Sequence, residues 1–222
     1  MNQTNTQVLP FSLARAGGWL IAFAGATSVI MMTYLMTGTD VTKNPKGYAD
    51  AATSVIGLGV GYLYLIGLIG LFGGLFALYL TLASASNSRM ALGGVIFGGL
   101  GVGLLLAVFG AITLGGAVAA NVYLGSDAGA SQVMKRLSGG SFDHELMNAI
   151  IVALVLSIAG AILFGISIWR ANSLPRWSSI LFAIGLVLLV LTFPVVTQIG
   201  GVLLVIAGVQ IARFDAVTLA PS

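Results

Sequence analysis

Long apolar runs recur from one end of the chain to the other, and they constrain its fold more than any motif does. A helix needs about 20 apolar residues to cross a hydrocarbon core of about 30 Å. Only 7% of the residues are charged, against about 25% in a typical soluble domain, and the short alternating segments of a membrane β-barrel are lacking. The sequence therefore predicts an all-α fold, a polytopic membrane helical bundle in which residues 1–222 form a single transmembrane domain. Six transmembrane helices are expected, at about 16–37, 51–84, 89–124, 144–169, 176–193 and 195–212.

Pro194 decides whether the last apolar stretch is one helix or two. A proline inside an apolar stretch either ends a helix or kinks it. A single helix over 176–212 would be about 55 Å long at 1.5 Å per residue, which is too long for the membrane core. We therefore expect a hairpin at Pro194 and six spans, with five spans as the alternative.

Arginine and tryptophan predict how the helices are oriented. With six spans, five arginines fall on one side, each near the end of a span, and all three tryptophans lie within four residues of them. The positive-inside rule favours the cytoplasmic side for such arginines, and tryptophan is enriched at membrane interfaces. We therefore expect a multi-pass protein of the bacterial inner membrane, the plasma membrane, with both termini in the cytoplasm. The predicted interfacial anchors are Arg15, Trp19, Arg89, Trp169, Arg170, Arg176, Trp177 and Arg213.

The second and third apolar segments are longer than a membrane requires. As helices, residues 51–84 and 89–124 would measure about 51 and 54 Å. Tyr62 and Tyr64 suit the outer interface and Tyr79 the inner one, because tyrosines concentrate at the two membrane surfaces. We therefore expect the outer turns of both helices to project beyond the bilayer into a small extracytoplasmic cap.

Glycine is unusually frequent, with 31 of 222 residues, about twice the usual share. Hydrocarbon gives helices no hydrophobic drive to associate, so they depend on close backbone approach, which small residues permit. The pattern predicts a tightly packed bundle, with an oligomer interface as the alternative. Small residues recur at four-residue spacing in Gly57/Gly61, Gly70/Gly74, Gly94/Gly98, Gly99/Gly103 and Ser157/Ala161/Gly165.

The only histidine, His144, lies between two acids where the fourth span is expected to begin. Asp143 suits the N-cap and Glu145 the first turn, where free amides and the helix dipole favour carboxylates. Consecutive helical residues point about 100° apart, so the three side chains cannot all face one ion. Helix capping is the favoured interpretation. The alternative is a polar or pH-responsive site on the outer face, formed by Asp143, His144, Glu145, Asn148, Asp127 and Asp50.

The chemical inventory excludes several classes of function. The chain has no cysteine, which excludes disulfides, thiolate metal sites and cysteine nucleophiles. No ionisable residue falls in the middle of a predicted span, whereas pumps and proton-coupled transporters use such residues. The net charge of +3 is spread over scattered basic residues, a pattern that suits lipid headgroups and gives no nucleic-acid patch. We predict no catalytic residue, no metal and no cofactor.

Two boundary motifs resemble those of an uncharacterised bacterial family. They are residues 13–20, LARAGGWL, and residues 174–177, LPRW, each followed by an apolar helix that contains glycine. The family is known only as a domain of unknown function, and its members are six-span integral membrane proteins. The resemblance covers the first helix and the last third of the chain. It implies the same architecture and supplies no catalytic residue to transfer.

These observations lead to three expectations about function. The first is a non-enzymatic structural or accessory subunit that packs against lipid, other membrane proteins or further copies of the chain. The second is a passive channel or carrier for a small neutral or apolar solute, with a path through Asn148, Ser157 and Gln198. The third is a membrane enzyme with a polar site on its outer face. The sequence favours the absence of enzymatic activity without deciding it.

Overall fold

The computed structural model describes residues 8–37, 45–83, 88–125, 141–171, 176–191 and 193–213. This part of the chain is all-helical, as predicted. Its seven helices are α1 (Val8–Thr37), α2 (Pro45–Thr53), α3 (Val55–Ala83), α4 (Ser88–Leu124), α5 (Ser141–Ala171), α6 (Arg176–Val190) and α7 (Pro194–Arg213).

Five of these helices are long and apolar enough to cross a membrane, namely α1, α3, α4, α5 and α7. The apolar part of α1 is Leu13–Leu35, and that of α5 is Met147–Arg170. Helix α6 is also apolar but has 15 residues, which is about 22 Å of helix. By length and composition, the described helices therefore fit a helical membrane bundle with five candidate spans. A sixth span requires that the shorter helix α6 also crosses the membrane.

The long helices and α6 pack as a closed ring. Going around the ring, each helix contacts the next in the order α3, α1, α7, α6, α5, α4 and back to α3, and α3 also touches α5 across the centre. Ring neighbours run antiparallel, since Gly17 near the start of α1 faces Ala77 near the end of α3, and Gly94 of α4 faces Phe164 of α5. One cluster of large side chains fills the centre, including Ile21, Leu68, Leu71, Leu75, Leu78, Phe164, Phe182, Leu186 and Leu204.

The outward surface of the ring is as apolar as its centre. On α3, Leu71 is fully buried while its neighbour Phe72 is 52% exposed. A helix that is hydrophobic all round is typical of a buried or membrane-spanning position. Large apolar side chains exposed on the remaining long helices, such as Val155 on α5 and Ile206 on α7, extend the same surface around the bundle.

The chain reverses direction at Pro194, as expected. Helix α6 ends at Val190 and α7 begins at the proline, which suits a first helical position because its missing N–H would have no partner there. The Ser178 hydroxyl near the start of α6 donates to Gln210 Oε1 near the end of α7 at 2.9 Å. The two helices therefore lie side by side as an antiparallel hairpin.

The segment expected as one helix over 51–84 is divided at Ser54. Helix α2 ends at Thr53, and α3 begins at Val55. The Ser54 hydroxyl accepts a hydrogen bond from the Gly57 amide at 2.9 Å, which is the geometry of a helix N-cap. The capping bond gives α3 its own start and frees α2 to turn and pack on α4 and α3.

Candidate functional site

Five arginines lie together at one end of the bundle, which we call the arginine end: Arg15, Arg89, Arg170, Arg176 and Arg213. Gly18 of α1 faces Ala212 of α7, which brings the start of one helix beside the end of the other. Arg170 Nη1 lies 3.6 Å from Met90 Sδ, so the end of α5 adjoins the start of α4. All eight predicted anchors are exposed, and their position at a membrane interface stays a prediction.

A cavity of about 130 Å³ lies under α2 at the opposite end, which we call the α2 end. It is comparable in size with an engineered apolar cavity of about 150 Å³ that holds benzene. Helix α2 forms its roof, and α1, α3 and α4 form its walls. Its lining is mostly apolar, with three hydroxyl side chains: Met31, Tyr34, Leu35, Tyr48, Ala51, Ala52, Gly57, Leu58, Gly61, Ile112, Thr113, Gly116 and Ala117.

The roof of the cavity is held in place by hydrogen bonds to the end of α2. The Tyr34 hydroxyl of α1 donates to the Ala51 carbonyl at 3.2 Å. The Ser54 hydroxyl donates to the same carbonyl at 2.7 Å. The Ser54 amide donates to it as well, at 3.2 Å. Because a carbonyl at a helix end has no partner within its own helix, these bonds satisfy it, and the bond from Tyr34 ties α2 to α1.

The chemistry of the cavity is that of neutral hydroxyl groups. None of its lining residues carries a formal charge at neutral pH. Burial raises the pKa of the half-buried Tyr48 hydroxyl above its ordinary value, because desolvation disfavours the phenolate. Tyr48 therefore stays protonated and can donate a hydrogen bond. A cavity of this kind suits a small neutral molecule with an oxygen acceptor.

The predicted outer polar site is described only in part. Asp50 is exposed on α2 and Asn148 is exposed on α5, and neither lines the cavity. Asp127 and the side chains of Asp143, His144 and Glu145 lie outside the described residues. Within the described ranges, no group of three or more His, Asp or Glu residues that could hold a metal ion is found.

Polar side chains inside the long helices mostly bond within the bundle. The Thr27 and Ser28 hydroxyls both donate to the Ala24 carbonyl, and Gln198 Nε2 donates to Thr33 Oγ1 at 3.1 Å. Ser157 is fully buried, and its hydroxyl oxygen has no hydrogen-bond partner. It faces the backbone of α4, where a Cβ added at Gly101 would collide with it.

The outward face of α4 carries small residues with empty space above them. A Cβ added at Gly103, Gly110 or Gly115 would meet nothing within 4 Å. Ala107 is exposed and lies on the face that Gly103 and Gly110 share, at the three- and four-residue spacing of one helical face. We call Gly103, Ala107 and Gly110 the α4 stripe. Beside Gly103 lies an apolar groove of about 210 Å³ between α3 and α4, lined by Leu68, Ile69, Phe72, Val102, Gly103 and Leu106.

Sequence reasoning missed the residues that form the cavity under α2. Tyr34 and Tyr48 were not singled out because a tyrosine near a span end is usual for an interface. Two signals mark the extra helix, namely Pro45 at its first position, where proline is favoured, and Ser54 three residues before Gly57, the spacing of an N-cap bond.

Comparison of the chain with protein-family models, with curated proteins and with solved structures finds no match. The resemblance to a six-span bacterial family therefore stays a prediction.

Proposed function

We propose that this chain is a multi-pass protein of the bacterial plasma membrane and serves as a structural or accessory subunit. It crosses the membrane six times, with both termini in the cytoplasm, and it docks a membrane helix of a partner protein on the α4 stripe. Glycine-mediated packing of its own helices gives the bundle the rigidity that such a docking surface needs.

The antiparallel ring supports six crossings. Helix α6 is short, but it runs antiparallel to both α5 and α7, with Gly165 facing Ala183 and Gly185 facing Gly200. Short spans are accommodated by local thinning of the bilayer and by anchoring residues at their ends. Arg176 and Trp177 at the start of α6 are residues of this kind.

The observation that carries the proposal is the contrast between the α4 stripe and the other glycines. All but four of the glycines whose surroundings are described meet a neighbouring atom within 4 Å. Three of the four exceptions lie on α4, and two of them, Gly103 and Gly110, belong to the stripe. Small residues at a helix surface let a second helix approach closely, and this approach drives association in lipid. The stripe therefore has the character of a helix interface without its second helix.

The groove beside the stripe supports the same function. Its lining is entirely apolar, so it accepts an aliphatic side chain from a docked helix. Phe72 forms one wall and is 52% exposed, which leaves a large surface to be covered by a partner. Groove and stripe meet at Gly103.

The filled centre favours a packing role over passage of a solute. The expected path combined Asn148, Ser157 and Gln198, yet Asn148 is exposed and Ser157 is fully buried against α4. Gln198 bonds to Thr33 of α1. Large residues such as Phe164 and Phe182, whose rings lie 6.0 Å apart, occupy the middle of the ring.

The absence of cysteine from the chain allows a direct test by site-specific crosslinking. An Ala107→Cys variant is labelled in native membranes with a thiol-reactive photocrosslinker and irradiated, and the adducts are identified by mass spectrometry. We expect one dominant adduct with a membrane protein. The matched control is Val155→Cys, since Val155 is 58% exposed on α5 outside the stripe.

A second variant ties the adduct to the stripe. Adding Gly110→Leu to the Ala107→Cys chain should abolish the adduct, because the leucine fills the space that a partner helix needs. Gly59→Leu on α3, where a Cβ also meets nothing within 4 Å, should leave it intact. Crosslinking to lipid alone, or equal labelling at Val155→Cys, would refute helix docking. An adduct between two copies of the chain would assign the stripe to self-association instead.

A further inference from the structure

A second surface feature lies at the arginine end, between α5 and α6. It is an open groove of about 350 Å³, which we call the α5–α6 groove. The close approach of Gly165 to Ala183 forms its floor. Nine residues line it: Ile162, Gly165, Ile166, Trp169, Arg170, Ser179, Ile180, Ala183 and Ile184.

The inner part of the groove is apolar. Its one hydroxyl, on Ser179, donates to the Arg176 carbonyl at 2.6 Å, so the donor is already used within α6. The rest of the wall consists of isoleucines and small residues that extend from Trp169 to Ile162, about 10 Å along the helix axis. An occupant of this part has to be apolar and elongated.

The mouth of the groove is positively charged. Arg170 lines it and is exposed. Among the described residues, the acceptor that its guanidinium meets is Met90 Sδ, at 3.6 Å. A thioether is a weak acceptor, whereas a guanidinium carries five N–H donors. Arg170 therefore retains donors that a stronger acceptor can take.

A second cation lies beside the mouth. Arg176 Cζ lies 5.8 Å from the centroid of the Trp169 ring, within the usual range of a cation–π contact. The guanidinium of Arg176 therefore lies next to Trp169, one of the residues that line the groove.

We propose that the α5–α6 groove binds one acyl chain of an anionic phospholipid, whose phosphate accepts hydrogen bonds from Arg170. Arg176 adds a second positive charge, and Trp169 packs against the glycerol region. The proposal rests on the membrane location given above but not on helix docking at the α4 stripe. A phosphate matches the planar donor pattern of arginine, and an acyl chain matches the apolar floor.

Charge and shape together distinguish this occupant from bulk lipid and from free phosphate. A zwitterionic lipid would fill the groove equally well but would gain less at the arginines, because its headgroup carries a balancing cation. Free phosphate would meet the arginines but would leave the apolar floor empty. Of these three candidates, the anionic phospholipid alone uses both parts of the groove.

The test is native mass spectrometry of the full-length, detergent-purified protein titrated with dioleoyl phosphatidylglycerol, with dioleoyl phosphatidylcholine, or with inorganic phosphate. We expect phosphatidylglycerol to bind several-fold more tightly than phosphatidylcholine, and inorganic phosphate to compete poorly. Arg170→Gln should weaken phosphatidylglycerol binding about tenfold, the usual effect of losing a hydrogen bond to a charged group. The matched control is Arg15→Gln on α1, two helices away around the ring, and it should change binding less than about twofold.

A pair of apolar variants tests the acyl-chain part separately. Ile184→Trp places a bulky ring over the groove and should weaken binding of phosphatidylglycerol, whereas Ile206→Trp on α7 should not. Ile184 and Ile206 are 46% and 42% exposed, so both changes should leave the fold intact, which size-exclusion elution verifies. Equal affinity for the two lipids, or equal losses in the controls, would overturn the proposal. Neither result would change the outcome expected from the crosslinking test at Ala107, which concerns the α4 stripe.

Discussion

Replacing Gly18 by alanine tests whether close helix approach stabilises the bundle. A Cβ added at Gly18 of α1 would lie 2.6 Å from both the Ala212 nitrogen and the Gly208 oxygen of α7. Both are backbone atoms of a packed helix, so no side chain can rotate away. Restoring an ordinary contact of about 3.4 Å requires the two helices to separate by roughly 0.8 Å.

The cost of this separation follows from the distance dependence of dispersion. A gap of 0.5–1 Å forfeits about a quarter to a half of each contact energy along the interface. Overpacking of a close-packed interior typically costs about 1–3 kcal/mol. We therefore expect Gly18→Ala to lower the free energy of unfolding by about 2 kcal/mol, which is about thirtyfold in the equilibrium constant.

Replacing a matched, uncrowded glycine by alanine should change the free energy of unfolding in the opposite direction. A Cβ at Gly59 of α3 would meet nothing within 4 Å. Alanine is the better helix former by about 1 kcal/mol in water, so Gly59→Ala should be neutral or stabilising by up to that amount. Both variants make the same chemical change. Opposite effects on the free energy of unfolding therefore separate steric crowding between helices from intrinsic helix propensity.

The assay is reversible unfolding of the purified protein in mixed micelles with increasing SDS, followed by the fluorescence of its three tryptophans. A double variant adds a further check. A Cβ at Gly208 would lie 2.6 Å from the Ala22 nitrogen of α1, so Gly208→Ala forces the same two helices apart. The double variant should lose less than the sum of the single losses, because neighbouring sites couple. Equal stability of Gly18→Ala and Gly59→Ala, within about 0.5 kcal/mol, would refute the reasoning.

Three further predictions concern single residues. Ser157→Ala should raise the free energy of unfolding by about 1 kcal/mol in the same SDS assay, because it removes a buried hydroxyl that lacks a partner; a loss of that size would mean that the hydroxyl is bonded. Because the raised pKa of Tyr48 makes the folded state hold its proton more tightly, stability should fall as the pH rises above about 10. Thermal melts between about pH 9 and 11 should show a shallower fall for Tyr48→Phe, and an unchanged slope would contradict the assignment to Tyr48. If the chain crosses the membrane six times with both termini in the cytoplasm, Phe193→Cys should react with a membrane-impermeant thiol reagent added outside the cell, and Ser173→Cys should not. The reverse labelling pattern would mean that the chain has the opposite orientation.

The sequence predicts the helices well, because helix formation in lipid depends on run length and hydropathy. It predicts poorly which face of each helix is buried. Leu68 is 1% exposed and its neighbour Ile69 is 56% exposed, although the two are equally hydrophobic. In a soluble protein the polar face of a helix marks its outside, but a helix that is apolar all round carries no such mark.

The positions of small residues indicate in part which face of a helix is buried. Gly94 and Gly98, singled out by their spacing, face Phe164 and Gly160 of α5. Gly103 has the same spacing from Gly99, yet a Cβ there meets nothing within 4 Å. Spacing therefore identifies a helix that can approach another closely, but it does not say whether the partner belongs to the same chain.

The cavity under α2 was not predicted, for a local reason. Hydropathy averages over about 19 residues, and the break at Ser54 occupies one position in an otherwise apolar stretch. One N-cap bond contributes about 1 kcal/mol, too little to register in such an average but enough to end one helix and begin the next. The cavity depends on this break, because Tyr48, Ala51 and Ala52 can form a roof only when α2 is separate from α3.

The two proposed surfaces lie at different depths of the bundle, which makes them independent. The α4 stripe begins at Gly103, about 21 Å along α4 from Arg89. The α5–α6 groove extends from Arg170 to Ile162, about 12 Å from the arginine end. A helix docked on the stripe therefore need not displace a phospholipid from the groove. Gly110→Leu should abolish crosslinking while phosphatidylglycerol still binds, and Ile184→Trp should do the reverse. If either variant abolished both the crosslinking and the binding of phosphatidylglycerol, the two surfaces would belong to one site and the separate assignments would be wrong.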